Sequence, residues 1–291
     1  MRLRGILLAV LACLSNAVAQ IAVSKGSSGS FVNVRQGKLY YEECGTGPDA
    51  VILMHDGVAH SAVFDEVWPM FCKQFHTIRY DRRGYGRSPE ATTPYYEADD
   101  LATLVIKCKL SRVALVASSH GGQVAMEYAM RYPQFVADLV VIGPGVTGFP
   151  YSEQFLIHES TLEQKKGEAL REAMVQDPYL VLANHETARK RLLEILTAAP
   201  QDYTHNDLPL PEPPIFPGVR QLRMPTLILI GSGDIADNQA VGGALVVSMP
   251  ESQRIVLPDA GHLMYMEHPQ QFFDEVDRFL TLHAFRAPVG Q

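Results

Sequence analysis

The chain has no long run of lysine and arginine and no internal apolar segment of membrane-spanning length. Its 25 basic and 32 acidic residues give a formal net charge of -7. Nucleic-acid binding by charge needs a basic patch, and an anionic membrane surface attracts a polybasic segment. We therefore expect neither partner. With 47% hydrophobic and 20% charged residues over 291 positions, the composition is typical of a globular protein.

Cysteine is also scarce, with four residues at wide spacings: Cys13, Cys44, Cys72 and Cys108. Such spacing indicates neither a disulfide framework nor a metal site. The last three could form one bridge and leave one thiol in an oxidising compartment. We expect three separate buried thiols instead.

The first 19 residues read as a signal peptide. Arg2 and Arg4 precede an apolar run over residues 5–14, and Ala17-Val18-Ala19 fits a cleavage site. The run is too short to span a bilayer. We therefore predict a secreted or periplasmic protein, with lipid attachment at Cys13 as the weaker alternative.

Strand-like and helix-like patterns alternate from residue 31 onward, after a small and polar lead-in over 20–30. This alternation predicts a parallel sheet with helices on both faces. The predicted strands are 31–35, 38–42, 50–54, 77–80, 112–117, 136–142, 226–230 and 254–257. The predicted helices are 62–75, 97–110, 121–132, 238–248 and 269–285.

The alternation stops at Gly143 and resumes after a proline-rich stretch over 200–217. Between them lies a more charged, helical segment. We therefore predict a core formed by residues 31–146 and 218–291, with a helical lid over residues 147–217, called the lid segment below. Phe149, Tyr151, Phe155 and Tyr179 are candidate pocket residues there, although they would serve equally as the core of the lid.

A sharp strand-to-helix turn is predicted at Ala117-Ser118-Ser119-His120-Gly121. Such a turn exposes a nucleophile and needs small residues two positions before and after it. Ser119 meets this requirement with Ala117 and Gly121, whereas Ser118 would have Val116 and His120. The simpler alternative is a serine that only caps the helix.

Two partners for Ser119 follow later strands. Asp234 lies in Gly231-Ser232-Gly233-Asp234, and His262 lies in Asp259-Ala260-Gly261-His262. The chain order Ser, Asp, His is that of a catalytic triad in this kind of fold. His262 would move the proton of Ser119 and Asp234 would orient the imidazole, with Asp237 as the substitute acid.

The backbone N–H groups of His120 and Gly57 are the expected oxyanion-hole donors. His120 follows the nucleophile at a helix start, and glycine allows close approach after the strand ending at Met54. We expect His55 to buttress this loop and Asp81 to fix the turn at 81–88. The remaining histidines show no ligand-like spacing and are expected on the surface or in the core: His60, His76, His158, His185, His205, His268 and His283.

Together these segments resemble the α/β-hydrolase superfamily, in its lidded group of esterases, enol-lactonases, haloperoxidases and proline iminopeptidases. The matching stretches are LMHDG at 53–57, DRRGYGRS at 81–88, VASSHGG at 116–122, LILIGSGD at 227–234 and LPDAGHLMYMEHP at 257–269. The resemblance implies an α/β-hydrolase fold with a mostly parallel eight-stranded sheet and a Ser119–Asp234–His262 triad. It implies no metal and no organic cofactor. Asp56 and Ala117 stand where the family usually has glycine.

Three functions are compatible with these residues. The leading prediction is hydrolysis of a small carboxylic ester or lactone through an acyl-enzyme. An aminopeptidase would need acidic groups in the lid segment, such as Glu153, Glu159 or Glu163, to hold an amine. A non-catalytic binding protein could keep the same residues.

Overall fold

The structure is a computed structural model that describes residues 29–199, 208–283 and 285. The predicted signal peptide, most of the lead-in, and residues 200–207 lie outside the described residues. Within the described part, no helix has the length and apolarity needed to cross a membrane.

Eight strands form one mostly parallel sheet in the order β1-β2-β4-β3-β5-β6-β7-β8, which confirms the predicted fold class. Only the pairings of β2 with β1 and with β4 are antiparallel. The strands are β1 Ser30–Val34, β2 Gly37–Cys44, β3 Asp49–Met54, β4 Thr77–Tyr80, β5 Arg112–Ser118, β6 Val136–Ile142, β7 Thr226–Gly231 and β8 Ser252–Leu257.

The helices follow the strands and cover both faces of the sheet. Between β3 and β7 they are α1 Trp68–Gln74, α2 Glu97–Lys107, α3 His120–Arg131, α4 Glu153–Glu163, α5 Gly167–Gln176 and α6 Glu186–Ala198. After β7 come α7 Ala236–Ser248, α8 Met264–Glu267 and α9 Pro269–Leu282. The helices α4, α5 and α6 all belong to the lid segment, where helices were predicted.

Successive residues of the central strands face opposite sides of the sheet, as the pleat of a strand requires. Ile52 and Met54 of β3 pack in one apolar cluster, together with residues of α2, α3 and α7. Val51 and Leu53 pack in the other, together with residues of α1, α6 and α9. Burial on both faces explains why these strands are continuously apolar in the sequence.

Three predicted helices differ from the structure by three residues or more, and one of them, predicted over 269–285, ends at Leu282. The helix predicted over 62–75 is wrong as one unit: a 3-10 turn at Ser61–Phe64 is separated from α1, which has Pro69 in its first turn. Proline has no N–H to give to a preceding helical turn, so it begins a helix better than it continues one. The helix predicted to reach residue 110 ends at Lys107, and Lys109 adopts a left-handed conformation (φ 56°).

The expectation of three separate thiols is wrong, because Cys44 and Cys72 form a disulfide. Cys44 ends β2 and lies opposite Thr77 at the start of β4. Since α1 leads into β4, this register brings Cys72 of α1 within 5.5 Å of Cys44, measured between Cα atoms. Cys108 is a free cysteine, and burial raises the pKa of its thiol to about 11.

We predict that replacing both bridge cysteines with alanine lowers the free energy of unfolding by about 3 kcal/mol, because the closed loop restricts the unfolded chain. Urea unfolding of the Cys44→Ala/Cys72→Ala and Cys108→Ala variants measures the effect. Cys108→Ala is the control for a cysteine outside the bridge. Equal losses in the two variants would contradict a stabilising disulfide.

Candidate active site

Ser119 occupies the turn between β5 and α3 in a conformation that non-glycine residues rarely adopt, with φ 51° and ψ -116°. It lines a cavity, whereas Ser118 is fully buried. The Oγ of Ser118 lies 3.2 Å from the hydroxyl of Tyr265. The strained turn therefore presents Ser119 to the cavity and directs Ser118 into the protein.

The turn requires glycine at position 121, as the sequence predicts, but for a different steric reason. A Cβ atom on Gly121 would collide first with the carbonyl oxygens of His55 and Met54 at the end of β3. Glycine thus lets the start of α3 approach the loop after β3. This approach brings the two predicted oxyanion donors together.

Asp234 and His262 meet at the carboxyl ends of β7 and β8, which are neighbours in the sheet. The His262 Nδ1 atom lies 2.9 Å from Oδ2 of Asp234, and both side chains are buried. The other carboxylate oxygen accepts hydrogen bonds from the backbone N–H of Ile235 at 2.7 Å and from Asn238 Nδ2 at 2.8 Å. Asp234 is thus held as the partner of the imidazole, and Asn238 is a supporting residue that the sequence did not suggest.

Asp237, the substitute acid considered from the sequence, does not face His262. It lies in α7, and its carboxylate accepts hydrogen bonds from the backbone N–H and the hydroxyl of Ser152, at 2.6 and 2.7 Å. Asp237 therefore links α7 to the start of α4.

Gly143, at the end of β6, leaves room for the Asp234–His262 pair. Its φ is +47°, and a Cβ atom there would lie 2.7 Å from the imidazole Nδ1 and 3.0 Å from Asp234 Oδ2. The backbone N–H of His262 donates to the carbonyl of Tyr179 at 2.7 Å. The imidazole is therefore positioned by the core on one side and by the lid segment on the other.

The oxyanion-hole candidates Gly57 and His120 lie side by side, since a Cβ atom on Gly57 would be 3.6 Å from the Cβ of His120. His120 is the first residue of α3, where backbone N–H groups have no intrahelical acceptor. In the loop after β3, Asp56 Oδ1 accepts the N–H groups of Val58 and Ala59, at 2.6 and 3.0 Å. Gly57 remains the donor candidate of that loop.

His55 buttresses this loop, as expected from the sequence. Its Nε2 accepts the backbone N–H of Arg82 at 3.0 Å, so its Nδ1 carries the proton and donates to the Asp56 carbonyl at 2.8 Å. Burial lowers the pKa of His55 well below its ordinary value, which keeps the ring neutral. Asp81 fixes the next turn by accepting hydrogen bonds from Ser61 Oγ at 2.6 Å and from the Arg87 N–H at 2.9 Å.

A cavity of about 1120 Å³ connects these groups to the lid segment. Its wall includes Ser119, His120, Gly57, Asp234 and His262, so every site residue predicted from the sequence reaches the same space. Of the candidate lid aromatics, Tyr151, Phe155 and Tyr179 also line it, while Phe149 packs edge-on against Phe216.

Comparison with known proteins identifies the family. The sequence model described as "Alpha/beta hydrolase family" matches residues 51–275, which is well over half of the chain. The chain belongs to the alpha/beta hydrolase family.

Curated relatives and solved structures of this family cover nearly the whole chain. The 2-hydroxy-6-oxononadienedioate/2-hydroxy-6-oxononatrienedioate hydrolase of Paraburkholderia xenovorans is 26% identical over 89% of this chain and 98% of its own length. The carboxylesterase CesB of Bacillus subtilis has a TM-score of 0.74 at 19% identity, covering 88% of this chain and 92% of that structure. The enol-lactonase of Burkholderia xenovorans has a TM-score of 0.73 at 22% identity, covering 87% and 100%. At these identities, the two solved structures show a shared fold.

Beside Ser119, this family member has a second carboxylate–histidine pair that the sequence did not reveal. His120 Nε2 lies 2.5 Å from Oε2 of Glu97, and Glu97 Oε1 accepts a hydrogen bond from Arg82 Nη1 at 2.9 Å. Burial alone would raise the pKa of Glu97, but the charges of His120 and Arg82 lower it far below its ordinary range. Glu97 is therefore an ionised group that fixes the side chain of His120 next to Ser119. The fold brings α2 against α3, and no spacing in the sequence signals that contact.

The lid segment contributes charged groups as well as aromatics. His158, expected on the surface or in the core, lines the cavity with its Nε2 2.9 Å from Asp177 Oδ2. Glu159 and Glu163 of α4 line it too, although both residues remain exposed. Partial desolvation at the cavity raises the pKa of Glu159. No residue of α4 is buried, so the helix has no buried face that an amphipathic pattern in the sequence could have revealed.

The electrostatic surroundings of His262 favour its protonated form. Burial acts to lower the pKa of His262, but the carboxylates of Asp234, Asp56 and Glu159 outweigh it and raise the pKa to about 9. The imidazole is therefore protonated at neutral pH and becomes a proton acceptor as the pH rises toward 9.

We predict that Glu159→Gln lowers the pKa of His262 by about 0.5 unit, because it removes a negative charge that stabilises the imidazolium. NMR titration of the histidine side chains measures the shift, with His262→Gln assigning the resonance. Glu163→Gln, on the same helix and the same cavity, is the matched control and should have a smaller effect. An unchanged His262 titration in Glu159→Gln would contradict this account of the site.

Proposed function

We propose that this protein is a serine hydrolase in which Ser119 is the nucleophile, His262 the general base and Asp234 its orienting acid. The observation that carries the proposal is the buried Asp234–His262 pair opening onto the same cavity as a strained, cavity-facing Ser119. Strain and a fixed carboxylate–imidazole pair are typical of a catalytic centre. A serine that only caps a helix has no need of either, and Ser119 makes no side-chain capping bond to α3.

In the proposed reaction, Ser119 Oγ attacks the substrate carbonyl carbon while His262 takes its proton. Since Nδ1 of His262 faces Asp234, Nε2 is the nitrogen available for this transfer. The N–H groups of Gly57 and His120 would stabilise the negative oxygen, each contributing about 3 kcal/mol in the transition state. His262 then returns the proton to the leaving group, and water releases the acyl group by the reverse sequence.

We propose a small carboxylic ester or lactone as the substrate. The cavity has the size of a small-molecule site, and its wall combines the charged groups with apolar side chains such as Phe155 and Leu162. The solved carboxylesterase and enol-lactonase share the fold and so provide precedents for this chemistry on the scaffold.

Two observations favour other substrates on the same catalytic centre. The relative from Paraburkholderia xenovorans, which matches 89% of this chain, is named as a hydrolase of a hydroxy-oxo-dienedioate. Lys165 and Lys166 at the cavity could meet a carboxylate of such a substrate. Glu159 faces the cavity as well, where it could hold the amine of an aminoacyl substrate. Both alternatives keep Ser119 as the nucleophile.

A fluorophosphonate probe tests the serine chemistry. We expect covalent labelling of the parent chain at a rate that increases from pH 7 to pH 9, because labelling requires neutral His262. Ser119→Ala should abolish labelling, while the adjacent Ser118→Ala serves as the matched control and should keep it. Absence of labelling in a folded parent chain, or its loss only in Ser118→Ala, would overturn the proposal in favour of a binding protein or another nucleophile.

The same protein, assayed with p-nitrophenyl esters, lactones, aminoacyl anilides and a hydroxy-oxo-dienedioate, tests the substrate class. We expect esters or lactones to have the highest kcat/KM, with at least a 100-fold loss in Ser119→Ala, within the range for removing a catalytic nucleophile. If the protein turns over only the anilide, or only the dienedioate, the proposed ester or lactone substrate is wrong and the substrate belongs to that other class.

We further propose that the chain is exported, as its first 19 residues predict. The Cys44–Cys72 disulfide supports this, since such bonds persist mainly in oxidising compartments. N-terminal sequencing of the protein from its native host should begin at Gln20. A retained Met1 would contradict export by cleavage.

A further inference from the structure

His185, Asp259 and His268 lie together behind the loop that carries His262, although nothing in their sequence spacing suggests a site. His185 precedes α6, Asp259 follows β8, and His268 lies between α8 and α9. The two histidines were expected to be unrelated surface or core residues. The fold instead brings their imidazoles to a centroid distance of 4.7 Å.

Both imidazoles converge on one residue. His185 Nε2 lies 2.8 Å and His268 Nε2 2.7 Å from the backbone carbonyl oxygen of Asp259. His185 Nε2 also lies 3.4 Å from the Oδ2 atom of the Asp259 carboxylate. One ligand atom from each of the three side chains falls within 4.8 Å of the other two.

The convergence is held by the surrounding backbone and side chains. Asp259 adopts a left-handed conformation with φ 51°, which is uncommon for a residue with a side chain. The Asn184 amide Nδ2 donates to both oxygens of its carboxylate, at 2.9 and 3.1 Å. The side chain of His185 is only 15% exposed. Two of the three donors therefore have restricted positions before any ligand binds.

We propose that His185, Asp259 and His268 form a binding site for a divalent transition-metal ion, with Zn²⁺ as the best match. Two imidazole nitrogens and one carboxylate oxygen are typical zinc ligands. Bond lengths of about 2.0–2.2 Å give donor separations of about 3.3 Å in a tetrahedral site. Small shifts of the three side chains would bring donors that now lie within 4.8 Å of one another to that separation, and water would complete the coordination.

Zinc binding changes the protonation of the two rings in a defined way. Without a metal ion, the N–H group at each Nε2 donates to the Asp259 carbonyl. A metal ion instead requires a free lone pair on that nitrogen. Each neutral ring therefore takes the tautomer with its proton on Nδ1, and a ring that is protonated beforehand releases one proton to solvent. Two hydrogen bonds to the carbonyl are replaced by two Zn–N bonds.

The site joins the lid segment to the loop of the proposed base. Tyr179 and Leu180 of the lid segment accept hydrogen bonds from the backbone N–H groups of His262 and Leu263, at 2.7 and 2.9 Å. Glu267 bridges the same two segments through the N–H groups of Gly261 and Leu182, both at 2.6 Å. An ion held by His185 on one side and by Asp259 and His268 on the other reinforces these links.

Isothermal titration of ZnCl₂ into untagged, EDTA-treated and dialysed protein tests the site. We expect one ion per chain, a melting temperature that rises with the zinc concentration, and affinity at least 10-fold weaker in His185→Gln and in His268→Gln. Glutamine keeps an N–H donor for the Asp259 carbonyl, so both variants should fold. Asp259→Asn keeps the left-handed backbone that asparagine tolerates and should also bind zinc more weakly.

His283→Gln is the matched control, since this partly exposed histidine bonds the Phe279 carbonyl outside the cluster. It should bind zinc as the parent does. Absence of binding at 100-fold molar excess, or parent affinity in either cluster histidine variant, would overturn the site. The measurement needs no turnover, so its outcome is independent of the fluorophosphonate result.

Discussion

The active-site geometry depends on a close steric contact between the start of α3 and the end of β3. Because Gly121 has no side chain, α3 can approach the carbonyl oxygens of Met54 and His55. This approach places Gly57 beside His120 and leaves Ser119 as the strained residue of the turn. A larger residue at position 121 would separate Gly57 from His120, the two proposed oxyanion donors, and would move Ser119 together with α3.

The charged groups around the cavity are arranged in pairs that hold backbone segments in place. Asp234 holds His262, Glu97 holds His120, and the Asp56 carboxylate holds the loop of Gly57 while accepting the Tyr265 hydroxyl at 2.6 Å. Buried charges are expensive unless they are paired and hydrogen-bonded. The paired charged groups are concentrated around the cavity. The fold therefore bears the cost of burying charge at the place where the candidate active-site residues lie.

The strands and the candidate site residues at the strand ends can be predicted from the sequence, because both depend on residues that are close together in the chain. Buried parallel strands are apolar throughout, and the turn at Ser119 needs small neighbours at fixed positions. The Cys44–Cys72 bridge depends instead on the register between β2 and β4, and the Glu97–His120 pair on the packing of α2 against α3. The cluster of His185, Asp259 and His268 needs three segments far apart in the chain. Single-residue patterns carry no information about such contacts.

The most direct test of the account is to locate an acyl group on the chain during turnover. Rapid acid quenching with p-nitrophenyl butyrate, tryptic digestion and fragment mass spectrometry would examine the peptide spanning residues 113–131. The account predicts a butyryl group on Ser119 that disappears in Ser119→Ala and remains in Ser118→Ala. A butyryl group on Ser118, or ester turnover with no acylated serine in this peptide, would contradict it.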